Sequence, residues 1–187
     1  MAKEAKSRIL ESAGRVLLTH PPERVTLELV AKTARCAKGL IHYHYKTKDA
    51  LLASAAADIW AKRTDAWTTA LGRPKPAEAI DAAWDLITDE AASGAHRAAV
   101  QLATRRDDLI GQTARKAAGE FRDSMARATE ALVRRMGRTL TVPPDEAGEL
   151  LVSTVNGLGM ELDMDVGSER VSAAWAAFWI GLLALTR

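Results

Sequence analysis

The chain of 187 residues contains one cysteine, Cys36, and only 5% aromatic residues. A single cysteine excludes a disulfide framework and a zinc finger, because each needs several cysteines or a Cys/His set at fixed spacing. Proline is also scarce, and its six copies stand in three close pairs, Pro21-Pro22, Pro74/Pro76 and Pro143-Pro144. Because proline stops helices, these pairs mark the breaks between long uninterrupted segments.

Long apolar runs are missing as well. The longest, Ala173 to Leu185, has 13 residues, whereas a membrane span needs about 20. No basic and apolar signal segment opens the chain, since Met1 to Arg15 mixes charged with aliphatic residues. We therefore expect a buried helix at the longest run, no membrane partner and a cytoplasmic location.

Catalytic and metal-binding patterns are absent too. The sequence contains no HExxH, GxSxG, P-loop or GxGxxG pattern, so no enzyme activity and no cofactor are expected. His42 and His44 stand two residues apart on a predicted helix and point in different directions, which argues against a shared metal ion. Cys36 is expected to be buried as a small hydrophobic residue, and not to act as a redox switch.

Charge is unevenly distributed, although the net charge is only +2. Residues 1–63 contain 12 Lys/Arg and 6 Asp/Glu, a balance of +6, and residues 64–187 contain 14 and 18, a balance of −4. A basic first third suggests a module that binds a polyanion. The alternative is a solvated surface of uneven charge, and charge alone does not decide between the two.

Apolar residues recur at helical spacing along the whole chain. Ile9, Ala13 and Val16, for example, belong to one stripe of an amphipathic helix over Lys3 to Thr19. No stretch alternates apolar and polar residues with β-branched enrichment, so essentially no strand is expected. The pattern therefore predicts an all-α fold of about nine helices.

Two short helices near the N-terminus, Leu27 to Thr33 and about Lys38 to His44, are separated by a turn at residues 34–36. Thr26 is placed to cap the first of them, and Thr47 to cap a long helix that follows. Two such helices, with lysines around the second, are typical of a DNA-binding helix-turn-helix. The apolar positions predicted to bury against the first helix are Val30, Cys36 and Ile41.

The segment Thr26 to Leu52, TLELVAKTARCAKGLIHYHYKTKDALL, resembles the DNA-binding signature of the tetracycline-repressor (TetR) family of bacterial transcription regulators. The resemblance is carried by Lys38-Gly39, Tyr43-His44-Tyr45 and Lys46-Thr47-Lys48-Asp49. It covers about residues 3–63, and farther on only the number and order of helices agree. The segment Asn156 to Asp165 is similar to the dimer-helix region of one common C-terminal subgroup.

The resemblance implies a homodimeric repressor that binds a near-palindromic double-stranded DNA operator and is released by an unknown small-molecule effector. It implies a helix-turn-helix domain at residues 1–47 and a helical regulatory and dimerisation domain at 48–187, entered by a long helix over about 48–71. Thr26 and Lys48 would contact phosphates, and Tyr43 and His44 would pack or bond at the DNA backbone. The predicted DNA-contacting set is completed by Arg35, Ala37, Lys38, Gly39, Leu40, His42 and Lys46.

Three positions depart from the family pattern. Arg35 stands where the turn favours glycine because the residue there needs a positive φ, so we expect a strained turn with Arg35 pointing outward. Ala37 replaces the usual serine or threonine, so the second helix lacks its best N-cap. Leu40 replaces a frequent threonine, and leucine contacts a thymine methyl group without forming a hydrogen bond. The usual base preference is therefore not carried over.

The C-terminal part offers candidate ligand residues. Arg105, beside Asp107, is a candidate anchor for an acidic ligand group, with a solvated loop as the alternative. Five aromatic and sulfur side chains are candidates for lining an apolar cavity, with ordinary core packing as the alternative. They are Trp84, Phe121, Met125, Met160 and Met164.

The last two predicted helices are the candidates for dimerisation. Their bulky apolar side chains exceed what one helix of a small protein normally hides alone, and two helices from each chain would form a four-helix interface. The predicted dimer residues are Leu151, Val155, Leu158, Leu162, Val171, Trp175, Phe178, Trp179 and Leu182.

Two other classes of function remain open from the sequence. One is a helical small-molecule-binding or enzyme domain without sequence-specific DNA binding, whose basic third serves solubility. The other is an architectural protein that binds DNA of any sequence. Saturable, competitor-resistant binding to particular genomic fragments would separate a regulator from both.

Overall fold

A computed structural model describes residues 2–165 and 167–187, and over these residues the chain forms nine α-helices, one short 3-10 helix and no β-strand. The all-α fold of nine helices expected from the sequence is confirmed. The helices are α1 Ala2–Thr19, α2 Leu27–Ala34, α3 Lys38–Tyr45, α4 Lys48–Leu71, α5 Pro76–Ser93, α6 Ala95–Ala103, α7 Leu109–Arg135, α8 Pro144–Asp163 and α9 Ser168–Ala184, with the 3-10 helix at Pro22–Arg24.

The helix ends follow local chemistry. The hydroxyl of Thr26 accepts a hydrogen bond from the backbone N–H three residues later at 3.1 Å, and Thr47 does the same before α4, also at 3.1 Å. Pro76 and Pro144 are the first residues of α5 and α8, where a missing N–H costs nothing. Gly94 ends α5 with a φ of 76°, a conformation that glycine adopts without steric cost.

The helices form two compact units. The N-terminal unit contains the chain up to Ala61 together with Ala98–Ala118, and the C-terminal unit contains Lys62–Arg97 and Gly119–Arg187. The helices α4, α6 and α7 each contribute residues to both units. The domain boundary predicted after residue 47 follows the end of α3, whereas the compact units divide farther along α4.

The core of the N-terminal unit is built on the apolar stripe of α1. Two hydrogen bonds hold the next helices against it. The Nε of Arg8 donates to the carbonyl of Ala34 at 3.1 Å, and the hydroxyl of Tyr45 donates to the carbonyl of Lys6 at 3.2 Å. Burial raises the pKa of the Tyr45 hydroxyl, so this donor stays protonated. The buried residues of the stripe are those that helical spacing predicts, Ile9, Ala13, Val16 and Leu17.

A buried ion pair lies in the core of the C-terminal unit. The Nε of Arg63 donates to both carboxylate oxygens of Glu90 at 3.0 Å, and the Nε1 of Trp67 donates to one of them at 2.8 Å. The guanidinium also lies over the ring of Phe121, 4.8 Å from its centroid. The two buried charges therefore compensate each other. The indole N–H and the aromatic face stabilise the pair further.

Helix α8 is the central packing partner in the C-terminal unit, since both α5 and α9 contact it. Its approach to α7 is especially close at Gly148, where an added Cβ would lie 2.5 Å from the Cα of Ala126. Only glycine fits there without a shift of one backbone. This close contact sets the spacing of the two helices.

Candidate nucleic-acid interface

The turn between α2 and α3 contains a left-handed residue. Arg35 has a φ of 50° and a ψ of 51°, and its side chain is exposed, so the predicted positive φ is confirmed. Such a conformation costs a non-glycine residue about 1–2 kcal/mol. It closes α2, because the N–H of Cys36 then donates to the carbonyl of Ala31 at 3.0 Å.

The start of α3 is uncapped, as the sequence predicts. Ala37 occupies the N-cap and makes no side-chain hydrogen bond to the helix. Val30 and Ile41 are buried as predicted. Cys36, predicted to be buried, is only half-buried. It lies in a surface turn between two exposed residues.

Helix α3 turns one face to the core and the other to solvent. Ile41 and Tyr45, 1% and 7% exposed, anchor the inner face. None of the predicted DNA-contacting residues, all of which the structure describes, is buried. Leu40, His44 and Lys48 are half-buried. The exposed members are Thr26, Arg35, Ala37, Lys38, Gly39, His42, Tyr43 and Lys46.

Tyr43 is 68% exposed and belongs to a small polar cluster at the C-terminal end of α3. Its ring meets the ring of His44 edge to face, with centroids 5.0 Å apart, and the Nζ of Lys46 lies 5.8 Å from its centroid. The cluster presents a phenol and an ammonium group to solvent. Both groups suit contact with a phosphate, and neither is needed for the core.

Lys38 forms an ion pair with Glu28 of α2. The hydrogen bond from Lys38 is the main reason that the pKa of the Glu28 carboxyl is lowered from its usual range. The pair orients Lys38 and partly neutralises it before any DNA arrives. Sequence reasoning missed Glu28, because the two residues lie on different helices and no spacing rule within one helix links them.

Arg105, a predicted ligand residue, lies in an ion-pair cluster of the N-terminal unit. It pairs with Glu23 in the 3-10 helix and with Asp108, whose carboxylate oxygen is 2.6 Å from its Nη2. The hydrogen bond between Arg105 and Asp108 raises the pKa of the arginine and lowers that of the aspartate. Because two carboxylates already compensate its charge, Arg105 is not an available anchor for an acidic ligand.

The other predicted ligand residues lie in different environments. Phe121 and Met125 are 1% and 0% exposed, so they pack in the core. Met160 and Met164, near the end of α8, are 54% and 59% exposed. Trp84 is half-buried on α5. The structure does not bring this set together into one cavity.

The structure also revises the choice of dimer residues. A side chain that its own chain buries is closed to a partner, and seven of the nine predicted residues are buried in this way. They are Leu151, Val155, Leu158, Val171, Trp175, Trp179 and Leu182, while Leu162 and Phe178 are half-buried. The opposite faces of α8 and α9 are exposed and rich in small or apolar residues, among them Leu150, Gly157, Met160, Ala173, Ala177, Ile180 and Gly181.

Two negative findings concern the described residues. No helix among them is both long enough and apolar enough to cross a membrane. No three or more of their His, Cys, Asp and Glu side chains are grouped so as to hold a metal ion.

A short helix exposed on one face, supported by two helices behind it and flanked by lysines, defines a helix-turn-helix DNA-binding protein. Comparison with known proteins then shows which family this domain resembles. Residues 9–55 match the model of the bacterial regulatory proteins of the tetR family. The match covers about a quarter of the chain and shows a tetR-type DNA-binding domain at its N-terminus.

Solved structures extend the similarity in fold to the rest of the chain. A Mesorhizobium loti protein assigned to TetR-family transcriptional regulators has a TM-score of 0.79 at 14% identity, covering 100% of this chain and 98% of its own. NemR of E. coli, in its reduced form, has a TM-score of 0.76 at 16% identity and covers 98% of each chain.

A third similar structure is NalD of Pseudomonas aeruginosa, described as the secondary repressor of the MexAB-OprM multidrug efflux pump. Its TM-score is 0.62 at 16% identity, and the match covers 97% of this chain and 98% of NalD. None of the curated proteins compared is significantly similar in sequence. The comparisons therefore give a family domain over residues 9–55 and a shared fold for the whole chain.

Proposed function

We propose that the protein is a homodimeric transcriptional repressor that binds a near-palindromic operator through α3 and is released by a small molecule bound in the C-terminal unit. The observation that carries this proposal is the solvent-exposed face of α3 within a tetR-family domain. The similarity in fold to NalD, itself described as a repressor, supports repression. Such a protein acts on the chromosome, so the proposed location is the cytoplasm.

The N-terminal unit offers two kinds of contact to DNA. On α3, Lys38 suits the acceptors of guanine, and Leu40 suits the methyl group of thymine. At the start of α4, Lys48 stands beside the Thr47 cap, where both the lysine and the helix N-terminus attract a phosphate. Phosphate contacts position the protein, and base contacts select the sequence.

Selection of bound sequences from random DNA tests this proposal. A dimer must place its two recognition helices about 34–36 Å apart to enter successive major grooves. The selected sites should therefore be inverted repeats with half-sites one helical turn, or a multiple of it, apart. Binding without an enriched sequence would favour an architectural protein, and no binding would favour a small-molecule-binding or enzyme domain.

The exposed faces of α8 and α9 are the proposed dimer surface. Their alanine and glycine residues allow two helices from each chain to approach closely, with crossing angles of about 20°. An obligate interface of this kind should bury more than about 2,000 Å² in total. Light scattering should give twice the 20.2 kDa of one chain, and the mass of a single chain would refute the dimer.

Release by an effector requires only a modest coupling energy. A ligand lowers operator affinity roughly 30- to 150-fold if it prefers the state that does not bind DNA over the DNA-binding state by about 2–3 kcal/mol. A compound screen against the operator complex measures this directly. If no compound released the DNA, the effector would be ruled out while the DNA-binding function stood.

Two substitutions separate phosphate contacts from base contacts. Lys48→Ala should weaken binding to operator and random DNA alike and reduce the slope of log affinity against log salt by about 0.9. His42→Ala should keep the slope and lose about 1–3 kcal/mol of discrimination at one base pair. Fluorescence anisotropy at several salt concentrations measures both effects. Lys75→Ala, an exposed lysine of the C-terminal unit, is the charge control. An unchanged slope in Lys48→Ala would refute the phosphate contact.

Glu28→Gln should strengthen binding to random DNA about two- to fivefold, because Lys38 is freed and one negative charge leaves the interface. Because the pKa of the Glu28 carboxyl is lowered, the carboxyl stays charged and paired with Lys38 at any pH above that pKa. The ion pair is lost only when the pH falls below it. The difference between variant and wild type should therefore be constant from about pH 6 to pH 8.

Anisotropy titrations with random duplexes measure this change. Glu11→Gln is the matched control, since Glu11 also pairs with a basic residue, Arg15, but on α1. Unchanged or weaker binding in Glu28→Gln would show that the pair does not restrain Lys38.

A further inference from the structure

Glu23 places a negative charge inside the N-terminal unit, in the 3-10 helix that connects α1 to α2. Its neighbours Pro22 and Val25 are buried, so the connection is anchored to the core, whereas the Glu23 side chain is 65% exposed. A carboxylate is unfavourable in a unit that receives phosphates, because like charges repel. The groups that neutralise Glu23 therefore affect DNA binding.

Arg105 forms an ion pair with Glu23, although the two residues are 82 positions apart in sequence. It lies in the connection between α6 and α7, within the part of these helices that belongs to the N-terminal unit. Leu102 and Ile110, on either side of the connection, are 1% and 3% exposed. Because both are anchored in the core, the backbone around Arg105 is held in place by packing as well as by the ion pair.

Two further groups orient the guanidinium of Arg105. Asp108 accepts hydrogen bonds from its Nε at 3.2 Å and from its Nη2 at 2.6 Å. The other oxygen of Asp108 accepts from the backbone N–H of Gly111 at 2.7 Å, at the start of α7. Arg115 donates to the carbonyl of Arg105 at 2.9 Å. One edge of the planar fork is therefore occupied by Asp108, and Nη1 is directed to Glu23.

Glu23 also interacts with Lys48, the first residue of α4. The pKa of the Glu23 carboxyl is lowered by a hydrogen bond from its own backbone, by the hydrogen bond from Arg105 and, to a smaller extent, by the positive charge of Lys48. The carboxylate therefore stays ionised at neutral pH, and two cations act on it. Arg105 forms the ion pair, whereas Lys48 acts only through its charge.

We infer that Arg105 is a positioning residue for DNA binding, which holds the Glu23 carboxylate so that Lys48 remains available to a phosphate. Without Arg105, Lys48 is the cation left to pair with Glu23, and an approaching phosphate meets a carboxylate instead of a free ammonium group. The inference rests on the proposed function, in which Lys48 contacts the DNA backbone. It assigns a role in DNA binding to a residue outside the helix-turn-helix segment.

A double-mutant cycle with Arg105→Gln and Glu23→Gln tests the inference, by fluorescence anisotropy with a duplex of random sequence and with the selected operator. Arg105→Gln should weaken binding to both duplexes about three- to tenfold and reduce the slope of log affinity against log salt by up to about 0.9, as Lys48→Ala does. The double variant has the net charge of the wild type and should bind within about twofold of it. Such rescue is not expected of an arginine that only supports the fold.

Arg15→Gln and Glu11→Gln form the charge-matched control cycle, because these residues are an exposed ion pair of α1 in the same unit. Each control change should alter affinity less than about twofold. Arg105→Lys keeps the positive charge beside Glu23 and should also bind within about twofold of the wild type. Circular dichroism and urea unfolding check the fold of every variant.

Three results overturn the inference while leaving DNA binding intact. They are unchanged affinity in Arg105→Gln, a loss in Arg105→Gln that persists undiminished in the Glu23→Gln background, and a threefold or larger loss in Arg105→Lys. Failure of the proposed function gives a different result, since the wild type then binds neither duplex, and the inference falls with it.

Discussion

Replacing Glu90 with alanine should lower the free energy of unfolding by about 3–5 kcal/mol, the largest effect expected of a single substitution in this protein. Its carboxylate shares the Nε–H of Arg63 between its two oxygens, each at 3.0 Å, and accepts one hydrogen bond from Trp67 at 2.8 Å, inside the C-terminal unit. The substitution takes this counter-charge from a buried guanidinium and this acceptor from a buried indole. Both groups are buried, so losing these partners costs more than it would at the surface.

Urea unfolding followed by tryptophan fluorescence, at one protein concentration, measures this loss. Glu90→Gln keeps a carbonyl acceptor for Trp67 and should lose less. Asp89→Ala, at the exposed neighbouring position on α5, should change stability by less than about 0.5 kcal/mol. A loss below about 1 kcal/mol in Glu90→Ala would mean that the buried pair contributes little to the fold.

Gly148→Ala should also destabilise the protein, by about 1–3 kcal/mol, although alanine favours a helix over glycine. The added Cβ would lie 2.5 Å from the Cα of Ala126 and 2.7 Å from its backbone nitrogen. Because these are backbone atoms, α7 and α8 have to move apart. Since α8 carries part of the proposed dimer surface, its displacement should weaken dimerisation as well.

The matched control for this substitution is Gly119→Ala in α7. A Cβ at Gly119 meets no heavy atom within 4 Å, so the change should stabilise the protein by about 0.5–1 kcal/mol. Thermal unfolding of both variants, with the mass of each measured by light scattering, separates stability from assembly. An equal gain in stability at both glycines would contradict the close contact of α7 and α8.

The two expected losses concern helices that serve the proposed functions. Glu90 lies on α5, and Gly148 lies on α8, which both α5 and α9 contact. Mild destabilisation at either position should therefore affect ligand binding and dimerisation more than the base preference of α3. DNA selections with Glu90→Gln, performed below its unfolding midpoint, would show whether the base preference is preserved.

The sequence by itself determined the features that depend on neighbours within a few residues. The apolar stripe of α1, the Thr26 cap, the left-handed Arg35 and the missing cap at Ala37 all follow from such local rules, and the structure has them. The helix-turn-helix was predictable for the same reason, because its signature occupies one short continuous segment, Thr26 to Leu52. The number of helices follows from their spacing and from the proline breaks.

Only the tertiary structure decided which groups meet across helices. Glu90 and Arg63 are 27 residues apart and Lys38 and Glu28 are 10 apart, so no spacing rule within one helix pairs them. Helical periodicity places Trp175 on an apolar face but does not indicate what buries it. In the structure, Trp175 is buried by other residues of its own chain. The contact of α5 with α8 is a further case, since the two helices are far apart in sequence. The physical reason is common to all of them: a helix's sequence specifies which face avoids water, whereas packing selects the partner that removes that face from water.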